Sequence, residues 1–182
     1  IPGVSNFGGH FGAYLKYAGF DALSVTGGAE EPVMIVIDGF RREISIVGFS
    51  GEDQVFHLEK TLVDRFLSEG REKKDLAFLT TGIGAVNTSF GCINSHYYDA
   101  TKPTPKGKGL FRTKQAGRTG LGSVMSRKRI AAIVILAAFP RGENPYGAAD
   151  WNKVKEAGTK LHGIVRDVDP QALQMHLKGS AG

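Results

Sequence analysis

Two stretches of this chain set bare backbone beside groups that bind ions. The first, Ser5-Asn6-Phe7-Gly8-Gly9-His10, puts an asparagine ahead of two adjacent glycines. Asparagine tolerates unusual backbone angles, and its side-chain and main-chain carbonyls can both ligate a hard cation. The second runs Gln115-Ala116-Gly117-Arg118-Thr119-Gly120-Leu121-Gly122 and is followed by the basic run Arg127-Lys128-Arg129. Glycines let main-chain N–H groups approach an anion closely, a helix N-terminus adds positive potential, and Lys114 and Arg118 flank the stretch. Its glycines spell G-x-x-G-x-G. That is not the G-x-G-x-x-G of a dinucleotide fold, and the Lys-Ser/Thr of a P-loop is missing. Taken alone, the second stretch also reads as a tight turn before a helix, and the first as a helix start capped by Asn6.

Other chemistry-bearing residues are sparse. The five histidines, His10, His57, His96, His162 and His176, include no pair with metal-ligand spacing. His57 and His162 fall on expected helices as surface or satisfied core groups. His96 lies in Asn94-Ser95-His96-Tyr97-Tyr98-Asp99, a polar and aromatic cluster able to line a pocket. Cys92 sits in an apolar run and reads as a buried, inert thiol. The basic stretch 106–114 has no interleaved aromatic residue besides Phe111, which favours a solvated loop over a nucleic-acid platform.

The elements that must position these residues follow from hydrophobic period. With 182 residues and 41% hydrophobic content, the chain can build a real core. One cysteine excludes a disulfide framework and any cysteine-built metal site within this chain, which fits a reducing, cytoplasmic setting. No apolar run reaches the length of a membrane span, and the start has no signal-peptide plan. A net charge of +5 favours anionic partners. The start lacks Met and the end stops without a closing element, so a piece of a longer chain is expected.

The pattern predicts a helix over 8–19 with Phe11, Leu15 and Ala18 on one face and Gly19 ending it. A strand over 21–27 follows, then a hairpin over 32–48 turning at Asp38-Gly39. A helix over 51–69 carries Val55, Leu58, Leu62 and Phe66, with Ser50 as N-cap. Strands are expected at 76–82, 89–95 and 130–137, an exposed loop at 101–115 and a short helix near 120–127. After Pro140 the pattern turns helical, with Trp151, Val154, Leu161 and Ile164 inward and another helix opening at Pro170. The fold class is α+β: a β-rich unit over 1–138, then the start of a helical unit over 139–182.

Read together, the two glycine stretches are more specific than either alone. Residues 6–33, 80–94 (Thr-Thr-Gly-Ile-Gly-Ala-Val-Asn-Thr-Ser-Phe-Gly-Cys-Ile-Asn) and 116–135 recur in the order found in the tungsten-containing aldehyde ferredoxin oxidoreductase family, whose N-terminal domain this chain resembles across about 135 residues. The resemblance implies a β-sheet base on which two pyranopterins sit, both bound to one tungsten (or molybdenum). It also implies a magnesium ion joining the pterin phosphates. The matching positions are Asn6, Gly8, Gly9, Gln115, Ala116, Gly117 and Arg118 for the cofactor, with the backbone carbonyls of Asn6 and Ala116 on magnesium. The backbone over 115–122 would then lie against a pterin and its phosphate.

The implied reaction is oxidation of an aldehyde to a carboxylic acid, with electrons passing through a 4Fe–4S cluster to ferredoxin or an iron–sulfur subunit, in a cytoplasmic oligomer. Cluster ligands and catalytic acid/base residues would belong to later domains, so no catalytic residue is assigned to this chain. Within the family the alternative is a tungsten subunit that reduces the aromatic ring of benzoyl-coenzyme A. From another class, the alternative is a cofactor-free basic module for nucleic acid. Three departures from the family pattern stand out: Gln115 where it usually has Arg, Thr119 where it commonly has Gly, and a longer connection over 101–113. The first raises the expectation that Lys114 or Arg112 supplies the missing phosphate contact.

Overall fold

The computed structural model describes residues 3–50, 54–105, 107–138 and 148–168. They belong to two compact units, Ile1–Phe139 and Pro140–Gly182. The first unit is a six-stranded mixed sheet in the order β2-β1-β6-β3-β4-β5. Its strands are β1 (Val33–Asp38), β2 (Glu43–Gly48), β3 (Leu76–Thr80), β4 (Ile93–Thr104), β5 (Gly107–Ala116) and β6 (Ile130–Leu136). Only β1 and β6 run parallel.

The period of two explains the layering. Ile35, Ile37, Ala77, Leu79, Ile133 and Ile135 face one side, where they meet Phe11, Tyr14 and Ala18 around α1 (Phe11–Tyr17) and Met125 of α3 (Leu121–Arg127). The alternate residues Met34, Leu76, Phe78, Ala132, Val134 and Leu136 face the other side. There they pack on Leu58, Leu62, Val63 and Phe66 of α2 (Val55–Ser68). Central strands buried on both faces read as continuous apolar runs, which is why β3 and β6 stand out in sequence.

Several expectations need correction. The segment 21–27 is extended but joins no ladder. The Lys128 ammonium donates to the Val25 and Gly27 carbonyls at 3.2 and 2.6 Å, occupying acceptors a neighbouring strand would need. Residues 89–92 form a loop, so Cys92 is a half-buried thiol outside the strand. The expected basic loop over 101–115 is the outer half of β4 and most of β5. Its alternation is hidden because both faces of that hairpin are wet, so Lys and Thr occupy positions that would otherwise be apolar. Helix α2 is capped at Gln54, not Ser50. The hairpin turn is longer than Asp38-Gly39: it spans 39–42, with Arg42 in the left-handed region at φ 56°. The Asp38 carboxylate accepts from Phe40 and Arg41 N–H at 2.9 and 3.1 Å.

His96 does not line a pocket. It is fully buried, stacked on Phe78, with Nε2 2.8 Å from Thr80 Oγ1 and Nδ1 2.6 Å from Glu59 Oε2. The network ties α2 to the sheet. Glu59→Ala removes one partner of a buried ring nitrogen, a loss of about 1–3 kcal/mol. Thr113 Oγ1 at 3.1 Å remains as substitute and keeps the cost near the lower bound. A melting temperature unchanged by Glu59→Ala in the full-length protein would deny the network a stabilising role.

The second unit contains α4 (Trp151–Val168), opened by Asp150 Oδ1 accepting from Lys153 N–H at 3.0 Å. Its apolar stripe is not inward within the described residues: Val154, Leu161 and Ile164 are exposed. The helix expected from Pro170 lies outside the described residues. Among those described, no helix is long and apolar enough to cross a membrane.

Candidate functional site

The two glycine stretches meet at one place on the α1 side of the sheet. Residues 3–10 run as an extended segment into α1, and 117–120 connect the end of β5 to α3. Arg118 N–H donates to Ser5 Oγ at 3.1 Å across 113 positions of sequence. A Cβ on Gly8 would lie 3.6 Å from Lys114 Cγ, so the lysine stem packs over Gly8. Gly3 lies against Thr119 in the same way. Asn6, Gly8, Gly9, Gln115, Gly117 and Arg118 are exposed, while Ala116 is buried at the end of β5. The N-cap of α1 is His10, four residues beyond Asn6, so Asn6 is not a helix cap.

The floor of the site comes from β4. Register puts Ser95 opposite Lys114 and Tyr97 opposite Arg112, so all four side chains share the α1 face. His10 lies on Tyr97 with ring centroids 4.4 Å apart. Burial pushes the His10 imidazole below its ordinary pKa, against the opposing pull of Asp99. Gly9, at φ 96°, passes over Ser95 and Tyr97 so closely that a Cβ would sit 2.8 Å from the tyrosine ring. Beneath it Ser95 Oγ is buried without a hydrogen-bond partner among the described residues.

Charge at the site is settled by which cations are already paired. Arg112 donates to Asp99 Oδ2 at 3.1 Å. Asp99 also accepts from the Thr101 hydroxyl and N–H. These bonds, the hydroxyl's first and Arg112's next, hold its pKa at about 2. Arg112 is therefore committed elsewhere. Lys114 and Arg118 have no carboxylate partner among the described residues and flank the glycines on both sides. Of the two substitutes expected for an arginine at 115, the geometry favours Lys114.

The glycines of the second stretch divide into two kinds. Gly120 and Gly122 are filled from within: a Cβ would fall 1.9 Å from the Ser89 carbonyl oxygen and 2.2 Å from that of Cys92. Gly122 N–H donates to the Gly91 carbonyl, and Gly91 N–H to Ser123 Oγ, both at 2.9 Å. They lock the loop over 89–92 to α3, so the expectation that all of 115–122 faces a ligand is corrected. Gly117 is different, since a Cβ there would meet nothing within 4 Å. Nothing in the protein's own packing requires glycine at 117. An open stretch of main chain at Gly117, flanked by two cations with no carboxylate partner among the described residues, suits a flat, phosphate-bearing group, so the residues present fit a pterin.

Thr119 is strained. It sits at φ 61°, a region costly for a β-branched residue, and its hydroxyl donates to the Arg118 carbonyl at 2.7 Å. Thr119→Gly relieves about 1–3 kcal/mol of backbone strain and returns about 0.5–1 kcal/mol through the looser unfolded chain. The expected result is a small rise in melting temperature. A fall would mean that the hydroxyl bond and the contact with Gly3 outweigh the strain.

Sequence reasoning missed Ser5, which no local signal marks because its partner is Arg118. Ser95 and Tyr97 fall in the polar and aromatic cluster expected to line a pocket, and the register of β4 with β5 puts them, rather than His96, on the site's face. Among the described residues, no cluster of three or more His, Cys, Asp or Glu side chains could hold a metal. A cation here would have to rely on backbone and ligand oxygens.

The model for the N-terminal domain of aldehyde ferredoxin oxidoreductase matches residues 1–137. A tungsten-containing aldehyde ferredoxin oxidoreductase of Pyrococcus horikoshii is 30% identical over 154 residues, covering 84% of this chain and 21% of the relative. One from Pyrococcus furiosus is 33% identical over 132 residues, covering 72% and 19%. The chain thus spans about a fifth of the length of these curated relatives. Among solved structures, the active-site complex BamBC of benzoyl coenzyme A reductase, in complex with 1,5-dienoyl-CoA, matches 74% of this chain and 18% of its own. The TM-score is 0.53 at 22% identity, a likeness of fold.

Proposed function

The chain belongs to the aldehyde ferredoxin oxidoreductase family, and from that premise we propose that it is the cofactor-seating base of a tungstopterin enzyme that oxidises aldehydes to carboxylates. When bound, the tungsten bis-pyranopterin supplies two-electron redox chemistry that no side chain here can perform. This chain's residues bind and orient that group. Gly117 leaves room for a ring face. Lys114 and Arg118 meet phosphate oxygens with charge-assisted bonds, and Arg118 N–H is held in place by Ser5 Oγ. The main-chain carbonyls of Asn6 and Ala116 would be the hard oxygen ligands for a magnesium ion, which would supply positive charge against the cofactor's phosphates. A 4Fe–4S cluster ligated outside this chain would supply the one-electron chemistry that links such an enzyme to ferredoxin, in a reducing cytoplasmic compartment.

The observation that carries the reading is the closure of 3–9 onto 114–119, two segments joined by the Arg118–Ser5 bond around an open Gly117. The test is metal and pterin analysis of the full-length native enzyme, with aldehyde oxidation followed by reduction of a viologen dye. Tungsten or molybdenum, pterin and aldehyde-dependent dye reduction are expected. A metal-free protein whose only activity is salt-sensitive binding to nucleic acid would overturn the proposal.

A further inference from the structure

The chain's entire net charge lies in one hairpin and the two residues that follow it. Residues 99–118 hold six of its Lys and Arg and only one acidic residue, Asp99, for a local charge of +5. The rest of the chain carries seventeen residues of each sign and is neutral. β3 pairs with β4 only from Asn94 to Tyr97, so the β4–β5 ladder beyond Tyr98 projects as a two-stranded arm without a third strand. Tyr98 and Phe111 pack together at its root with centroids 5.5 Å apart, and Phe111 lies 5.8 Å from Phe78 of the core. The register slips between Asp99 and Pro103, and the extra residues are pinned by Asp99 to Thr101 N–H and Oγ1 at 3.0 and 2.7 Å. Lys102 within that bulge and Lys108 just beyond it are exposed and have no carboxylate partner among the described residues.

Two groups of cations therefore sit on this hairpin and the turn that follows it. Lys114 and Arg118 belong to the cofactor site. Lys108 lies six residues from Lys114, roughly 20 Å at strand rise, too far to serve the same phosphates. We propose that the face of this arm carrying Lys102 and Lys108 is a docking element for an acidic protein, the iron–sulfur electron acceptor of the reaction, and this rests on the function proposed above. Charge complementarity selects the occupant. A second copy of the chain would bring the same positive arm. Single-stranded nucleic acid would need stacking surfaces, and the arm's aromatic residues Tyr98 and Phe111 are spent on its root. An iron–sulfur carrier brings thiolate-ligated clusters of net negative charge and, with an acidic surface, is steered to such a patch. The electrons balance: aldehyde and water give carboxylate, three protons and two electrons, which pass singly to two acceptor molecules.

The experiment reverses both charges, Lys102→Glu with Lys108→Glu, in the full-length holoenzyme and measures aldehyde oxidation with an acidic ferredoxin and, separately, with a viologen dye. The dye rate and the tungsten content should match those of the unmodified enzyme. The KM for ferredoxin should rise about tenfold at low ionic strength and converge with the unmodified value near 0.5 M salt. Ferredoxin kinetics equal to the unmodified enzyme's would overturn the arm's role. So would unchanged ferredoxin kinetics with lost retention on duplex DNA or on anionic phosphatidylserine vesicles, which would assign the arm to those surfaces. An unmodified enzyme that reduces no dye with any aldehyde would instead contradict the proposed function itself.

Discussion

Gly117→Val in the full-length enzyme leaves the domain folded and removes its cofactor. Apart from the chain neighbours, no described atom lies within 4 Å of a Cβ at this position, so there is open space for valine on the protein's own side. It puts a branched side chain into the open space beside Gly117, where a planar ring system would approach the main chain. Packing a group against backbone at van der Waals distance leaves no room for extra carbons, and the misfit can move neither strand β5 nor the bonded Ser5–Arg118 pair. Tungsten and pterin per protomer should fall at least tenfold, while far-ultraviolet circular dichroism and melting of the apoprotein match those of the unmodified apoprotein. Full metal occupancy in the variant would show that this loop does not touch the cofactor.

Gly122→Ala, five residues on, has the opposite signature. Its Cβ would be driven to 2.2 Å from the Cys92 carbonyl oxygen and 2.5 Å from the carbonyl carbon, both main chain and unable to rotate away. Either the loop over 89–92 or the start of α3 must shift, breaking the Gly122–Gly91 and Gly91–Ser123 hydrogen bonds. Overpacking against backbone costs about 1–3 kcal/mol and sometimes more, and the two hydrogen bonds add about 1 kcal/mol each. A fall of many degrees in melting temperature is expected, or failure to accumulate as folded protein. Cofactor loss in this variant follows unfolding rather than preceding it. Near-native stability would mean that the loop and helix yield easily, and the division of the glycines into structural and ligand-facing kinds would fail.

Much of this fold was legible because its core strands are continuous apolar runs and its helices carry a clear stripe. β1, β3, β6 and α2 all follow from those patterns, with boundaries shifted by a few residues. The misread parts share one physical cause. Where a strand is exposed on both faces, as β5 is, side-chain polarity no longer reports the pleat, and a paired strand looks like a basic loop. Where an extended segment is bonded by a side chain, as Lys128 bonds 25–27, the period of two is present but the ladder is not. His96 was misplaced because polarity alone cannot distinguish a pocket lining from a buried network, a distinction made by Glu59, far away in sequence. The glycine stretches were visible as motifs. Which glycines serve the fold and which leave room for a ligand depended on the carbonyls of Ser89 and Cys92, which no local pattern announces.

The central claim is that two distant segments form one seat for a phosphate-bearing pterin pair. A crystal structure of the tungsten-loaded full-length enzyme tests it most directly. The account predicts a pterin against Gly117, phosphate oxygens within hydrogen-bond reach of Lys114 and Arg118, and the carbonyl oxygens of Asn6 and Ala116 about 2.0–2.1 Å from a common magnesium ion. A cofactor seated elsewhere in the enzyme, with the space beside Gly117 filled by a side chain of another domain, would contradict it.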